Sequence, residues 1–485
     1  MKRYFLMNMV LMVLIGCSVG PDYTRPTVVV PSDFKELKGW REAQPRDQEI
    51  RTKWWEVFDD PMLNSLIEQV NVSNQSIALS ESQYRQAQAA VQLARSNYFP
   101  TLSAGASFTR SAAAATTGNS YGTENQHEVS LNASWELDVW GKVRRQVEAG
   151  VATAEASFAD LQAMRLSMQA QLAMDYFQLR TLDAQKKNLD DSVAAYSKAL
   201  ELTKNRYNAT IAAKADVVAA QTQLETTQAQ AIDVGVQRAQ YEHAIAMLMG
   251  KPPADFSLAP SEFKLPQIKI PVGLPSELLE RRPDIASAER QMAAANAQIG
   301  VAKSAYYPTL TLAGSLGYLS TELSNLFTSP NYFWALGPVA ASVTLFDAGA
   351  RQAQTKQAMA AYDGTVASYR QTVLTGFQEV EDYLAALRIL DEEAQKQDRA
   401  VNDARESVVL TTNQYKAGIV SYLNVVTAQT TALANEKTAI GISGQRLNAA
   451  VLLVKALGGG WISADNQKIR RDKSGRIIWE ENSDD

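Results

Sequence analysis

The chain has 485 residues, 46% of them hydrophobic and 20% charged, which is enough apolar material for two or more domains. Its formal net charge of -5 is mild, and its one dense basic cluster, Lys468, Arg470, Arg471 and Lys473, reads as a solvated terminus, so no nucleic-acid partner is implied. One cysteine, Cys17, is poor material for a disulfide framework or a metal site.

Residues 1–16 read as a signal peptide, with Lys2 and Arg3 ahead of an apolar run, Tyr4 to Ile15, that is too short to span a bilayer. The run ends in Leu14-Ile15-Gly16-Cys17, a lipobox, which makes Cys17 the acylated mature N-terminus. A free buried thiol is the alternative. Ser18 follows, where inner-membrane retention signals carry Asp, so the outer membrane is the expected destination of this lipid-anchored segment, 17–70. From Ser18 to Pro61 the sequence is irregular, and no later segment qualifies as a transmembrane helix.

A first repeat, 71–250, begins with a helix at about 72–97. Period-two alternation follows, with Leu102, Ala104, Ala106 and Phe108 on one face, then Val129, Leu131, Ala133, Trp135 and Leu137 against Ser130, Asn132, Ser134 and Glu136. Each run is about ten residues, the length of a tilted membrane-spanning strand, and Ser111 to Asn125 is expected as an exterior loop. A soluble hairpin with one face on a core is the competing interpretation.

The next helix, at about 142–204, fills 13 of 16 slots of a four-three apolar spacing, interrupted at Arg165, Asp175 and Lys186. A heptad held that long implies coiled-coil packing, and the helix measures roughly 95 Å. After a turn at Asn205 to Ala215, a helix over 214–249 returns. The two shorter helices together nearly match the long one in length, so stacked end to end they would run antiparallel beside it.

A connector, 251–278, carries Pro252, Pro253, Pro260, Pro266, Pro271 and Pro275 and reads as ordered and extended. The second repeat, 279–458, restates the first 208 residues later: Ser96, Tyr98 and Pro100 recur as Ser304, Tyr306 and Pro308, and Asn205 and Tyr207 as Asn413 and Tyr415. Its strands are expected at Leu310 to Tyr318 and at Val339, Ala341, Val343 and Leu345, with an exterior loop over Leu319 to Phe333. Its heptad breaks at Thr355, Gly376 and Gln397, and a second turn spans Asn413 to Leu423. A polar tail, 459–485, closes the chain.

One chain supplies four strands, which cannot close, whereas a sheet in lipid must close because lipid satisfies no edge. Strands are therefore pooled across subunits, and three chains would give twelve. Catalytic chemistry finds no support. His127, at a strand start on the apolar phase, and His243, on a returning helix, read as structural. Glu379, Glu381 and Asp382 read as a solvated or lumen-facing patch, and no metal or cofactor spacing is present.

Several motifs resemble the outer-membrane efflux factor family, TolC-like, in its lipoprotein branch. They are Cys17-Ser18-Val19-Gly20-Pro21-Asp22-Tyr23, Trp54-Trp55 with Phe58, Asp60, Pro61 and Leu63, and the strand starts Tyr98-Phe99-Pro100 and Tyr306-Tyr307-Pro308. Trp135-Glu136-Leu137-Asp138 with Gly141, Leu345-Phe346-Asp347 with Gly349, Arg281-Arg282-Pro283-Asp284 and the two Asn-x-Tyr segments complete the set.

The resemblance implies a membrane α+β fold with an internal tandem repeat: a trimeric outer-membrane β-barrel, four strands per chain and twelve in total, continuous with a long α-helical coiled-coil barrel. It implies a homotrimer in outer-membrane lipid, a periplasmic adaptor protein and a proton-driven inner-membrane pump, the whole serving as the exit duct of a tripartite efflux system linked to antibiotic resistance. A non-conducting coiled-coil lipoprotein, an envelope spacer or adhesion stalk, is the alternative. The turns would form periplasmic tips that contact the adaptor through Tyr207, Ala209, Ile211, Ala417, Gly418 and Ile419; a plain helix cap at Gly418 is the bland interpretation. At the periplasmic gate, Asp216 and Tyr415 match family gate residues, the family's acidic-ring positions hold Asn424 and Thr427, and its gate arginine is replaced by Val420. Closure is expected through hydrogen bonds among Asp216, Tyr415 and Asn424.

Overall fold

Pro61 has no amide hydrogen to satisfy, and it stands at the first position of helix α1 (Pro61–Ser73), whose Asp60 cap accepts from the amides of Met62 and Leu63. The structure is a computed structural model that describes residues 18–31, 33–36, 53–112, 123–261 and 281–459, with the backbone of 470–471 and 477–478. The signal segment, Cys17, the connector beyond 261 and most of the tail lie outside the described residues.

After α1 come α2 (Gln75–Ser96), β1 (Thr101–Ala112), β2 (Thr123–Leu137), α3 (Lys142–Asn208) and α4 (Lys214–Leu248). The second repeat supplies α5 (Pro283–Ser304), β3 (Thr309–Ser320), β4 (Tyr332–Ser342), α6 (Ala350–Lys416) and α7 (Tyr422–Ala456). A two-residue pairing, β5 (Arg470–Arg471) with β6 (Ile477–Ile478), lies in the tail. The long helices α3 and α6 have 67 residues each, about 100 Å of rise, and α3 runs four residues beyond the expected end at 204.

The structure corrects several sequence expectations. The first helix does not start at 72: the chain is already helical from Pro61 and breaks at Asn74, whose extended backbone (φ -69°, ψ 125°) frees its carboxamide to accept from the amides of Ser76 and Ile77. Before it, Trp54–Phe58 forms a buried 3-10 turn in a stretch expected to be irregular. Ser111, Ala112, Thr123, Glu124 and Asn125 belong to strands, as do Leu319, Ser320, Tyr332 and Phe333, because the strands extend past the alternating apolar runs. The fourth strand ends at Ser342, so Val343 and Leu345 lie outside it.

The chain divides into two compact units. The first (Met1–Thr27, Ser82–Phe158, Ser287–Arg370) holds an antiparallel sheet in the order β1-β2-β3-β4. Between Leu312 and Gly314 the register slips by one, the mark of a bulge on β4 at Gly337-Pro338. Pro338 has no amide to give a ladder, and β4, as an end strand, tolerates that.

The second unit (Val28–Glu81, Ala159–Ala286, Gln371–Asp485) packs Leu182, Leu189, Tyr196, Leu200, Leu224 and Leu433 into one apolar cluster. Here α4 ends against the start of α2, the end-to-end stacking expected from the helix lengths. Asn74 donates to the Leu248 carbonyl at 2.7 Å and Ser73 to that of Met249 at 2.8 Å. The second repeat builds the same joint with different chemistry. Arg282, at the position 208 beyond Asn74, donates to the Ala456 carbonyl at 3.1 Å. Gly250 (φ +66°) and Gly458 (φ +93°) close the two joints, and a Cβ on either would collide with the carbonyl of Ser73 or Arg281.

Candidate channel wall and helical tip

The pleat sorts the sheet into two faces. Cross-strand partners Leu102 and Ala133, Ala104 and Leu131, Leu131 and Leu316, Trp135 and Leu312, and Leu316 and Trp334 all stand on one side. The bulge keeps β4 in step: without the extra residue, Trp334 and Leu336 would be followed on that face by Pro338 and Ala340, and with it Val339 and Ala341 follow instead. Trp334 is 70% exposed and Leu336 88%, so this apolar face covers no core among the described residues. The other face carries Thr101, Ser103, Ser107, Glu128, Ser130, Asn132, Ser134, Thr309 and Thr311. His127 lies inside β2 rather than at its start and packs its ring 4.7 Å from that of Phe108. An open sheet with one oily and one hydroxyl-rich face suits a wall between lipid and water.

Residues 18–25 lie docked on the first unit. The Val19 amide donates to the Trp140 carbonyl at 3.1 Å, and Arg145, itself buried, reaches the Val19 and Gly20 carbonyls and pairs with Asp22 at 2.8 Å. Tyr23 donates to Glu289 at 2.6 Å, and burial pushes its hydroxyl far above the usual phenol range. In the second unit, the acidic patch on α6 is no mere solvated face. Glu379 pairs with Arg282 at 2.6 Å, and Glu381 accepts the amides of Lys35 and Glu36 at 2.7 and 3.0 Å. Period and spacing carry no sign of such long-range partners. Two more arginines secure the connector start, Arg180 and Arg238 donating to the carbonyls of Ala259 and Leu258.

At the turns, both long helices end in the same cap. The Ile419 amide reaches the Gln414 carbonyl at 2.9 Å and Gly418 that of Tyr415 at 3.0 Å; Ile211 and Thr210 repeat the pattern on Arg206 and Tyr207, each at 2.8 Å. This is the Schellman arrangement, with Gly418 at φ +77° and, in the first repeat, Thr210 forced to φ +63°. The apolar residue that follows is usually covered in such a cap, yet Ile419 is 73% exposed. Tyr207, Ala209, Ile211 and Ala417 are exposed too, so the six residues expected to contact an adaptor stand at or beside solvent-facing turns, and a Cβ on Gly418 would meet nothing within 4 Å.

Among the described residues of one chain, no hydrogen bond links the four expected gate residues. Tyr415 is buried and its hydroxyl has no hydrogen-bond partner among the described residues. Its ring meets Tyr422 edge-on at 5.2 Å, and burial, then the neighbouring Tyr415 and Tyr196, pushes the Tyr422 hydroxyl up to about 12. Asn424 and Thr427 stand exposed beside an open groove of about 350 Å³ between α6 and α7, lined also by Ser407, Thr411, Gln414 and Thr431. The hydrogen-bonded link expected among Asp216, Tyr415 and Asn424 is thus not made through the Tyr415 hydroxyl. Sequence reasoning missed Arg206 and Tyr422, which pack on Tyr415; the only signal for the first was that the middle of the Asn-x-Tyr segments differs, Arg206 against Gln414.

The model for "Outer membrane efflux protein" matches the chain twice, over residues 66–251 and 274–459. The chain belongs to the outer membrane efflux protein family. Among its relatives, the toluene efflux pump outer membrane protein TtgC of Pseudomonas putida is 31% identical over 462 residues, 94% of this chain and 95% of that protein. The cation efflux system protein CusC of Escherichia coli is 28% identical over 466 residues, 93% and 97% of the two chains. Of solved structures, the outer-membrane channel OprN superposes with a TM-score of 0.86 at 29% identity, over 92% of this chain and all of the other.

This outer membrane efflux protein accordingly has the family's fold class, a membrane α+β chain of two tandem repeats with four strands and long helical hairpins. Its function is that of an outer-membrane efflux channel, the exit duct of a tripartite system. The spacer reading has no use for the amphipathic sheet.

Proposed function

We propose that three copies of this chain pool their strands into a twelve-stranded barrel, lipid outside and polar lumen inside, continuous with a helical tunnel in the periplasm. The observation that carries the proposal is the sheet itself: four strands with an exposed apolar face and outer edges on β1 and β4 that no strand of the described residues covers. In lipid such edges cost several kcal/mol per unsatisfied group, and pairing with further copies removes that cost. The duct is passive and has no catalytic step; an inner-membrane, proton-driven pump reached through a periplasmic adaptor supplies the energy. Cys17 carries the acyl anchor, the tips at Tyr207 to Ile211 and Ala417 to Ile419 meet the adaptor, and the tunnel narrows at Asp216, Tyr415, Asn424 and Thr427. The pump selects the cargo: one relative is named for toluene and another for cations.

Single-channel recording in planar bilayers tests this. The full chain should give stepwise currents with weak block by trivalent cations, since neutral Asn424 and Thr427 form no acidic ring, and Asn424→Asp with Thr427→Asp should create strong block. Absence of any current would end the conduit reading, and equal block before and after the change would move the constriction elsewhere.

A further inference from the structure

The two repeats place equivalent tyrosines at their tips, and the structure treats them differently. Tyr207 is 42% exposed while Tyr415 is 4% exposed. Tyr415 sits in the apolar cluster with Tyr196, Leu200 and Tyr422, and over its ring lies Arg206, from the last turn of α3, whose guanidinium carbon is 4.8 Å from the ring centroid. The same guanidinium donates through Nη1 to the carbonyl of Lys416 at 2.9 Å. Lys416 ends α6, so its carbonyl is one of the four that the helix cannot satisfy and lies at the negative end of the helix dipole. The Tyr415 ring also meets Tyr422, the first residue of α7. One cation from the first repeat therefore grips the ends of both helices of the second hairpin.

Two further facts indicate what that grip controls. The Tyr415 hydroxyl and the Arg206 Nε are buried without partners among the described residues, so the contact rests on the ring face and the carbonyl, not on a tyrosine hydrogen bond. Toward the turn, a Cβ at Gly418 would find nothing within 4 Å and Ile419 is open to solvent, while Val420 packs against the apolar cluster. Along α7, a polar tie from α3 occurs at Gln429, whose carbonyl accepts from Tyr196 at 3.1 Å, about two turns beyond Tyr422. The start of α7 is also held by packing, since Tyr422 and Val425 join the apolar cluster with Tyr196 and Leu200, and Arg206 adds a polar contact at Lys416, the end of α6.

We infer that Arg206 is a positioning residue of the channel gate, a latch that holds the α6–α7 tip against α3 by stacking on Tyr415 and capping Lys416. The inference rests on the reading of this tip as the tunnel constriction. A planar guanidinium can stack and donate at once, which an ammonium does less well.

The test is conductance of the full lipoprotein in planar bilayers, with trimer migration and far-UV circular dichroism as controls for folding. Arg206→Ala and Tyr415→Leu should each raise the open fraction by about tenfold, the loss expected for one stacked cation and one helix-end contact. Arg206→Lys should fall between, and Tyr415→Phe should match the unmodified channel because its hydroxyl holds nothing. Should Arg206→Ala fail to form trimers, Arg206→Lys and Tyr415→Leu decide the matter alone. Wild-type currents from folded Arg206→Ala overturn the latch, as does opening by Tyr415→Phe equal to that of Tyr415→Leu. Recording Asn424→Asp with Thr427→Asp alongside separates the two failures: new trivalent block with a silent Arg206→Ala removes the latch and keeps the constriction, whereas no new block removes the constriction and the latch with it.

Discussion

Asp175 occupies a heptad slot of α3 where an apolar side chain is expected, and it is 7% exposed, with Gln171 donating to its carboxylate at 2.9 Å. Burial pushes its carboxyl up to about 6, and the Gln171 bond only partly opposes that. A folded-state value above the unfolded one, about 4, means the native state binds the extra proton between those limits, so stability falls as pH rises from about 4 to about 6 and the penalty is complete above that. Asp175→Asn should stabilise the protein at pH 7.5 by about 2 kcal/mol, and the advantage should shrink at pH 4.5. Thermal unfolding at the two pH values checks this, and an advantage that grows in acid would refute it. Lys186 breaks the same heptad yet stays at the surface beside Asp190. The pattern marks both exceptions alike, and only the packing around them decides which one is desolvated.

At the scale of the element, the turn caps show one backbone device built with two residue types. Thr210 holds a left-handed conformation that its Cβ disfavours, and Gly418 holds it freely. Thr210→Gly should therefore raise stability by up to about 1 kcal/mol, and Gly418→Ala should lower it by a similar amount, read from unfolding midpoints. The same pair of sites separates capping from docking. Gly418→Ala and Gly418→Trp carry the same backbone strain, but only Trp adds bulk at the exposed tip. Adaptor crosslinking and efflux should drop with Trp and persist with Ala in intact trimers, and equal loss from both would reduce the tip to a cap. The β4 bulge shows the complementary limit of sequence reading: alternation located the second hairpin, but the inserted residue that keeps Trp334 and Val339 on one face became visible only in the ladder.

For the whole molecule, membrane attachment has two proposed parts, the barrel and the acyl anchor. Ser18, the first described residue, begins the segment that Arg145 fastens to the first unit, so an anchor at Cys17 would sit next to a built clamp. Cys17→Ala should abolish incorporation of radiolabelled palmitate while the barrel still inserts, since strand pairing drives closure. Label that survives the change would show that the lipobox has been misread.

The sequence by itself determined the repeat, the long heptad helices, the presence of four strands and the family, because periodicity and a 208-residue self-match are local or near-local properties of the chain. Tertiary structure alone decided which polar side chains became joints. Asn74 and Arg282 serve equivalent places with unlike chemistry, Glu381 receives two backbone amides of a distant turn, and Tyr415 is buried while its twin Tyr207 is not. The joints depend on partners 174 to 346 residues away, and neither period nor propensity encodes such a partner.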